Sequence, residues 1–179
     1  MKNLRIISAF LLGSIFLLQA CDDGLLDVVE TFTFTHEFPV VAAETSFNTD
    51  DLINLSQESL INEYGSKIKK IEIEEVKYWV KNFEGNDTQE LTNLELSVAD
   101  PDGTDSKHIA HLQNIALSSL IDTPTDLAIN NEGKEKLEYN VKNPPHSFSY
   151  LLDLAVNEGP ASFTLAVEVR VRMTANPLN

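Results

Sequence analysis

The chain has a single cysteine, Cys21, so no disulfide can form within it. That excludes the small disulfide-stapled scaffolds. Bases are scarce as well: thirteen Lys and Arg stand against twenty-eight Asp and Glu, for a net charge of −15. Nucleic-acid phosphates would repel such a surface, so nucleic acid is excluded as a partner. A membrane-spanning helix needs about 20 apolar residues. The run from Ile6 to Leu18 is only thirteen residues long, interrupted by Ser8, Gly13 and Ser14, and is too short. Neither a Gly-x-Ser-x-Gly elbow nor a phosphate-cradling glycine loop is present. Nothing marks two of the many carboxylates as an acid and nucleophile pair. We therefore expect no catalysis and no cofactor.

What is there begins with a targeting segment. Lys2 and Arg5 precede the apolar run, and Ala20 is a small residue before Cys21. Charged start, apolar middle and small residue before the cut are the parts of a secretory signal peptide. Leu18-Gln19-Ala20-Cys21 resembles the lipobox of bacterial lipoproteins, with Gln19 where a small or β-branched residue is usual. The resemblance implies cleavage before Cys21, diacylglycerol on its sulfur and a further acyl chain on the new amine. Two or more acyl chains hold a protein firmly on a bilayer, whereas one does so marginally. Asp22 and Asp23 stand where lipoproteins carry sorting signals. The expected location is the cell envelope, anchored by lipid at the outer membrane.

The expected organisation is a signal peptide over 1–20, a lipidated tether over 21–27 and one domain over 28–179. Removing residues 1–20 takes away two bases and no acid, so the charge moves from −15 to −17. Such a domain would not lie flat on an anionic membrane, and the lipid must hold it there.

The domain reads as strands. Phe32, Phe34, His36, Phe38 and Val40 alternate with Thr31, Thr33, Thr35 and Glu37, the period of a half-buried strand. Pro39 suits a sheet edge, and Phe32–Val40 is a candidate edge strand. A weak strand is expected near Thr45–Thr49. Ser56 reads as the N-cap of a short helix through Leu60, Ile61 and Tyr64, stopped by Gly65. Across Lys67–Phe83 the apolar phase flips at Glu74-Glu75, which predicts a bulge. Leu94, Leu96 and Val98 form a strand ended by Asp100-Pro101-Asp102-Gly103, a turn signal. His108–Leu120 fits a strand better than a helix. Asn130–Lys142, with Leu137 and Val141 four apart, predicts a surface helix. Phe148–Val156 and Phe163–Met173 alternate without error around Asn157-Glu158-Gly159-Pro160, which reads as an antiparallel hairpin.

Buried faces must pair, so the expected fold is all-β and mainly antiparallel. We expect a two-sheet β-sandwich of immunoglobulin-like or jelly-roll type with one or two short connecting helices. A closed, lipocalin-like barrel is the alternative.

Few residues suggest chemistry. His108 and His111 follow Asp100, Asp102 and Asp105, a donor set suited to metal. Residues three apart on a regular strand face opposite ways, however, so we expect no metal there. Asp102-Gly103 sets the frame of a calcium loop, but its first and twelfth places fall on Val98 and Ile109, which cannot supply carboxylates. His36 reads as a hydrogen-bonded histidine at the core edge, and His146 as a loop residue. Tyr78, Trp79 and Phe83 are the candidate ligand surface, an aromatic platform for sugar or protein, set against the plainer reading of ordinary core. The expectation is a non-catalytic envelope lipoprotein: a glycan- or protein-binding module, or else an accessory subunit of an envelope complex.

Overall fold

Alternation of apolar residues dictates the long elements. In this computed structural model, which describes residues 26–42 and 45–178, three long strands carry it. They are β1 (Val28–Ala42), β3 (Ile68–Glu84) and β9 (Ala161–Ala175). With β7 (Thr125–Asp126) they form a sheet in the order β1-β9-β3-β7. The second sheet holds β2 (Ser46–Asn54), β8 (Ser147–Val156), β4 (Glu90–Ala99) and β5 (Lys107–Leu112) in the order β2-β8-β4-β5. A short β6 (Ile115–Ala116) continues along β4 beyond β5. Every pairing between these strands is antiparallel.

Taking β5 and β6 as one interrupted strand, this is the order of an eight-stranded jelly roll. The expected sandwich is therefore present, and the closed barrel is not. Among the described residues each sheet ends in open edges, β1 on one side of the first and β2 on the matching side of the second. Pro39 sits on β1, an edge strand, where its missing N–H costs no ladder bond.

Phe32, Phe38 and Val40 of β1 point into the space between the sheets, while Thr31, Thr33 and Thr35 are exposed. From β8, Phe148 and Tyr150 meet them. Their rings stand edge to face at 4.9 Å, and Phe38 lies 6.1 Å from Tyr150. Burying one such side chain contributes about 1.5–3 kcal/mol.

The predicted bulge in β3 is present: Ile73 opposes Val171 and Glu75 opposes Arg170, so Glu74 is the extra residue. The predicted surface helix is α2 (Asn131–Lys142), after α1 (Ser59–Tyr64). Asn130 caps α2, its side-chain oxygen accepting from the Gly133 N–H at 2.9 Å. With Leu137 and Val141 buried, α2 closes the side of the sandwich against β3 and β5.

Four sequence readings need correction. β8 and β9 do not pair as a hairpin. They lie in different sheets, and the turn between them crosses from one to the other. The weak strand near Thr45–Thr49 is a nine-residue strand reaching Asn54. Helix α1 begins three residues after Ser56, with Glu58 at the cap position and no side-chain cap bond. His108–Leu120 is not one strand but β5, β6 and a 3₁₀ turn at Leu117–Leu120.

Candidate functional site

Cys21 and the lipobox lie outside the described residues. The Asp27 carboxylate pairs with Lys69 at 2.9 Å where β1 begins. Near that end Lys67 donates to the Pro177 carbonyl at 2.8 Å, so both termini of the domain leave from one end of the sandwich. The turns β3–β4 and β8–β9 lie at the other end.

The aromatic platform does not assemble. Tyr78 points into the core, paired in register with Val167. Trp79 is next in the strand and so lies on the opposite face. That face covers it too, and only 9% of Trp79 is exposed. Lys81 lies over the indole, its Nζ 5.3 Å from the ring centroid, and reaches Glu37 Oε1 at 2.6 Å. Phe83 is half-buried against the core. Alternation separates Tyr78 from Trp79, and a register shift between Lys81 and Glu84 separates Trp79 from Phe83.

His36 sits at the core edge as expected. Its Nε2 lies 2.9 Å from Asp51 Oδ2 on β2, and its ring meets Phe38 edge to face at 4.5 Å. This contact joins the open edges of the two sheets. His146 is in a loop but buried, with Nδ1 2.9 Å from the Val141 carbonyl.

The loop from Asp100 to Asp105 is an ordered turn. Asp102 Oδ1 accepts from the Thr104 N–H at 3.0 Å and from its hydroxyl at 2.6 Å, which holds the Asp102 carboxyl below its usual range. Gly103 takes a φ of 81°, a left-handed conformation that glycine adopts freely. Asp100 and Asp105 turn toward Lys136, whose Nζ lies 2.7 Å and 2.8 Å from them. A lysine ammonium thus stands where the calcium reading would need a cation.

His108 and His111 do not face opposite ways, as a regular strand would place them. Both are exposed on one face of β5, with ring centroids 6.3 Å apart. The pairing with β4 explains it. Leu96 opposes Ala110 but Ser97 opposes His108, so Ile109 is an extra residue in a bulge. Ile109 and Ala110 both point inward. Two adjacent apolar residues between the histidines were the legible sign. Beside the pair, the outer face of the second sheet carries a shallow groove of about 370 Å³, lined by Asp50, Glu95, Ser97 and Asp153 among others.

No family model matches the chain, and no curated protein matches it. Among solved structures it is similar to a Desmodium yellow mottle tymovirus chain. The two share 9% identity over 83% of this chain and 89% of that one, with a TM-score of 0.33. It is also similar to the VP2 subviral particle of infectious bursal disease virus, at 12% identity over 84% of this chain and 38% of that one, with a TM-score of 0.30. Likeness this distant says nothing of what the chain does. Among the described residues, no helix is long and apolar enough to cross a membrane.

Proposed function

We propose that this chain is a non-catalytic, lipid-anchored protein of the bacterial cell envelope that works by protein contact, as an accessory subunit of an envelope complex. The lipobox ending in Cys21 supports the anchor. The observation that carries the mode of contact is the open edge of β1. This strand is fifteen residues long, and among the described residues it pairs with β9 alone. Such an edge offers a row of unpaired backbone groups to a neighbouring strand. Pro39 indicates which ones. Its N–H is missing, so the odd-numbered backbone groups on its side point away from β9. Thr31, Thr33 and Thr35 are on that side, and their side chains are exposed. A glycan-binding reading has lost its aromatic surface, because Trp79 is covered and Tyr78 faces inward.

Two experiments test the parts separately. Cys21→Ser should leave the protein unprocessed or release it to a soluble fraction. If it stays processed and membrane-bound, the anchor is wrong. A photocrosslinker at Thr33 should give an adduct of one defined mass in intact cells, and one at Ser119 should not. Thr35→Pro should remove that adduct while leaving the unfolding midpoint nearly unchanged. If Thr33 gives no adduct, or its adduct survives Thr35→Pro, the β1 edge is not the contact.

A further inference from the structure

The bulge in β5 is built into the fold. The Asn130 N–H at the head of α2 donates to the Ile109 carbonyl at 2.9 Å. Gly133, one turn on, lies so close that a Cβ there would meet the His108 carbonyl and stand 2.8 Å from Ile109 Cα. The helix thus holds the extra residue in place and keeps both imidazoles on the outer face. Bulges commonly serve to re-aim a side chain in this way.

The surroundings suit a cation. His111 Nε2 lies 2.7 Å from Asn93 Oδ1, an oxygen that only accepts, so in the neutral ring that donates this bond the Nδ1 lone pair is the one offered to a metal. Metal-ligating imidazoles characteristically donate their second nitrogen to an oxygen in this manner. Glu95 stands directly opposite His111, and Asp153 directly opposite Glu95 on its other side. Like charges facing each other across strands are destabilising. Among the described residues, neither carboxylate has a Lys or Arg partner within ion-pair distance.

We propose that His108 and His111 chelate a divalent transition-metal ion of the copper and zinc class, with Glu95 supplying a carboxylate. Metal–nitrogen bonds of about 2.0–2.1 Å put two imidazole centroids on a tetrahedral ion about 5 Å apart. The exposed rings stand 6.3 Å apart, and must close by about 1 Å to reach that spacing. Among the described residues no three imidazole, thiol or carboxylate groups already converge on one point. The Glu95 side chain must therefore swing toward His111, and water completes the shell. Two imidazoles select this class of ion over calcium and magnesium, which take oxygen ligands. Copper(II) should bind more tightly than zinc.

The test is a calorimetric titration of the full chain in detergent with copper(II) and with zinc, each as the metal alone. The expected result is one ion per chain, with copper the tighter. His108→Ala and His111→Ala should each weaken binding at least tenfold, and together abolish it. Glu95→Gln should weaken it less. His36→Ala should leave it unchanged, and millimolar calcium should not compete. Both histidines are exposed, so the variants should unfold at the wild-type midpoint, which is measured alongside. Absence of saturable binding overturns the proposal. So does one-to-one binding that survives in the double variant, which would mark an adventitious ion only. Displacement by calcium overturns it as well, because the carboxylates alone would then be the site.

Discussion

Lys136 is a cation taken out of water with carboxylates around it. Burial alone would lower its pKa, but the hydrogen bonds it donates to Asp100 and Asp105 more than offset this, and the net shift is upward. On the other side of the pair, Lys136 and then Lys107 hold the Asp105 carboxyl below its usual 3.8. A carboxyl depressed in the folded state adds stability that is complete above its ordinary pKa and is lost as pH falls through the depressed value. Asp105→Asn should therefore lower the urea midpoint at pH 7, and the gap to wild type should close below about pH 4. A gap that persists at pH 2 would show that the residue acts through something other than its charge. Lys136→Met leaves two carboxylates without their cation and should cost about 1–3 kcal/mol in the same urea series. Trp79 reports on another contact at this scale. Its emission should be blue-shifted and resist iodide, and Lys81→Ala should move it to the red. An unchanged spectrum would mean that Lys81 does not cover the ring.

At the scale of elements, α2 and β5 depend on one another. Replacing a helical glycine by alanine ordinarily favours the helix by about 1 kcal/mol. At Gly133 the sign should reverse, because the added carbon meets the β5 backbone. Gly133→Ala should destabilise by about 1–3 kcal/mol in urea unfolding. A variant as stable as wild type would show that helix and strand are not in close contact. The same pair shows where sequence reading stops. Period-two alternation gave β1, β3, β8 and β9 almost complete, because each turns a continuous apolar face to the core along most of its length. It cannot distinguish a hairpin from a turn that crosses between sheets. In both, Phe148–Val156 and Phe163–Met173 direct their apolar residues at the same core. β2 was hidden because Asp51 occupies an inward place, where it meets His36 across the sheets. The bulge in β3 was legible because a long alternating run stood on each side of it. The one in β5 had only two residues before it and three after, too few for the alternation to show the shift, so the histidine pair was read by a rule that holds only for regular strands.

The whole molecule has two unlike ends. At the tether end are Asp27, Lys67, Lys69 and the last turn of α2 at Lys142. At the far end the β3–β4 and β8–β9 turns are joined through Gln89, whose side-chain amide donates to the carbonyls of Glu158 and Pro160 at 2.8 and 2.9 Å. That end carries Glu84, Asp87, Glu90 and Glu158, with no Lys or Arg from 82 to 92 or from 154 to 163. The fifteen residues of β9 run between the ends and span about 50 Å. If Cys21 anchors the chain, a short tether of 21–27 joins the bilayer to the end where β1 starts. The acidic end is then pushed away from anionic headgroups, within a Debye length of about 8 Å at physiological salt. The domain should stand upright rather than lie on its side. Thiol labels at Asp87→Cys and Lys142→Cys, read by energy transfer to headgroup-labelled vesicles of anionic lipid, measure this directly. Transfer should be strong from position 142 and weak from position 87, and the difference should shrink on uncharged vesicles. Equal transfer from both on anionic lipid would mean that the sandwich lies flat. The β1 edge would then run along the membrane surface, where strand pairing would be confined to partners within the headgroup layer.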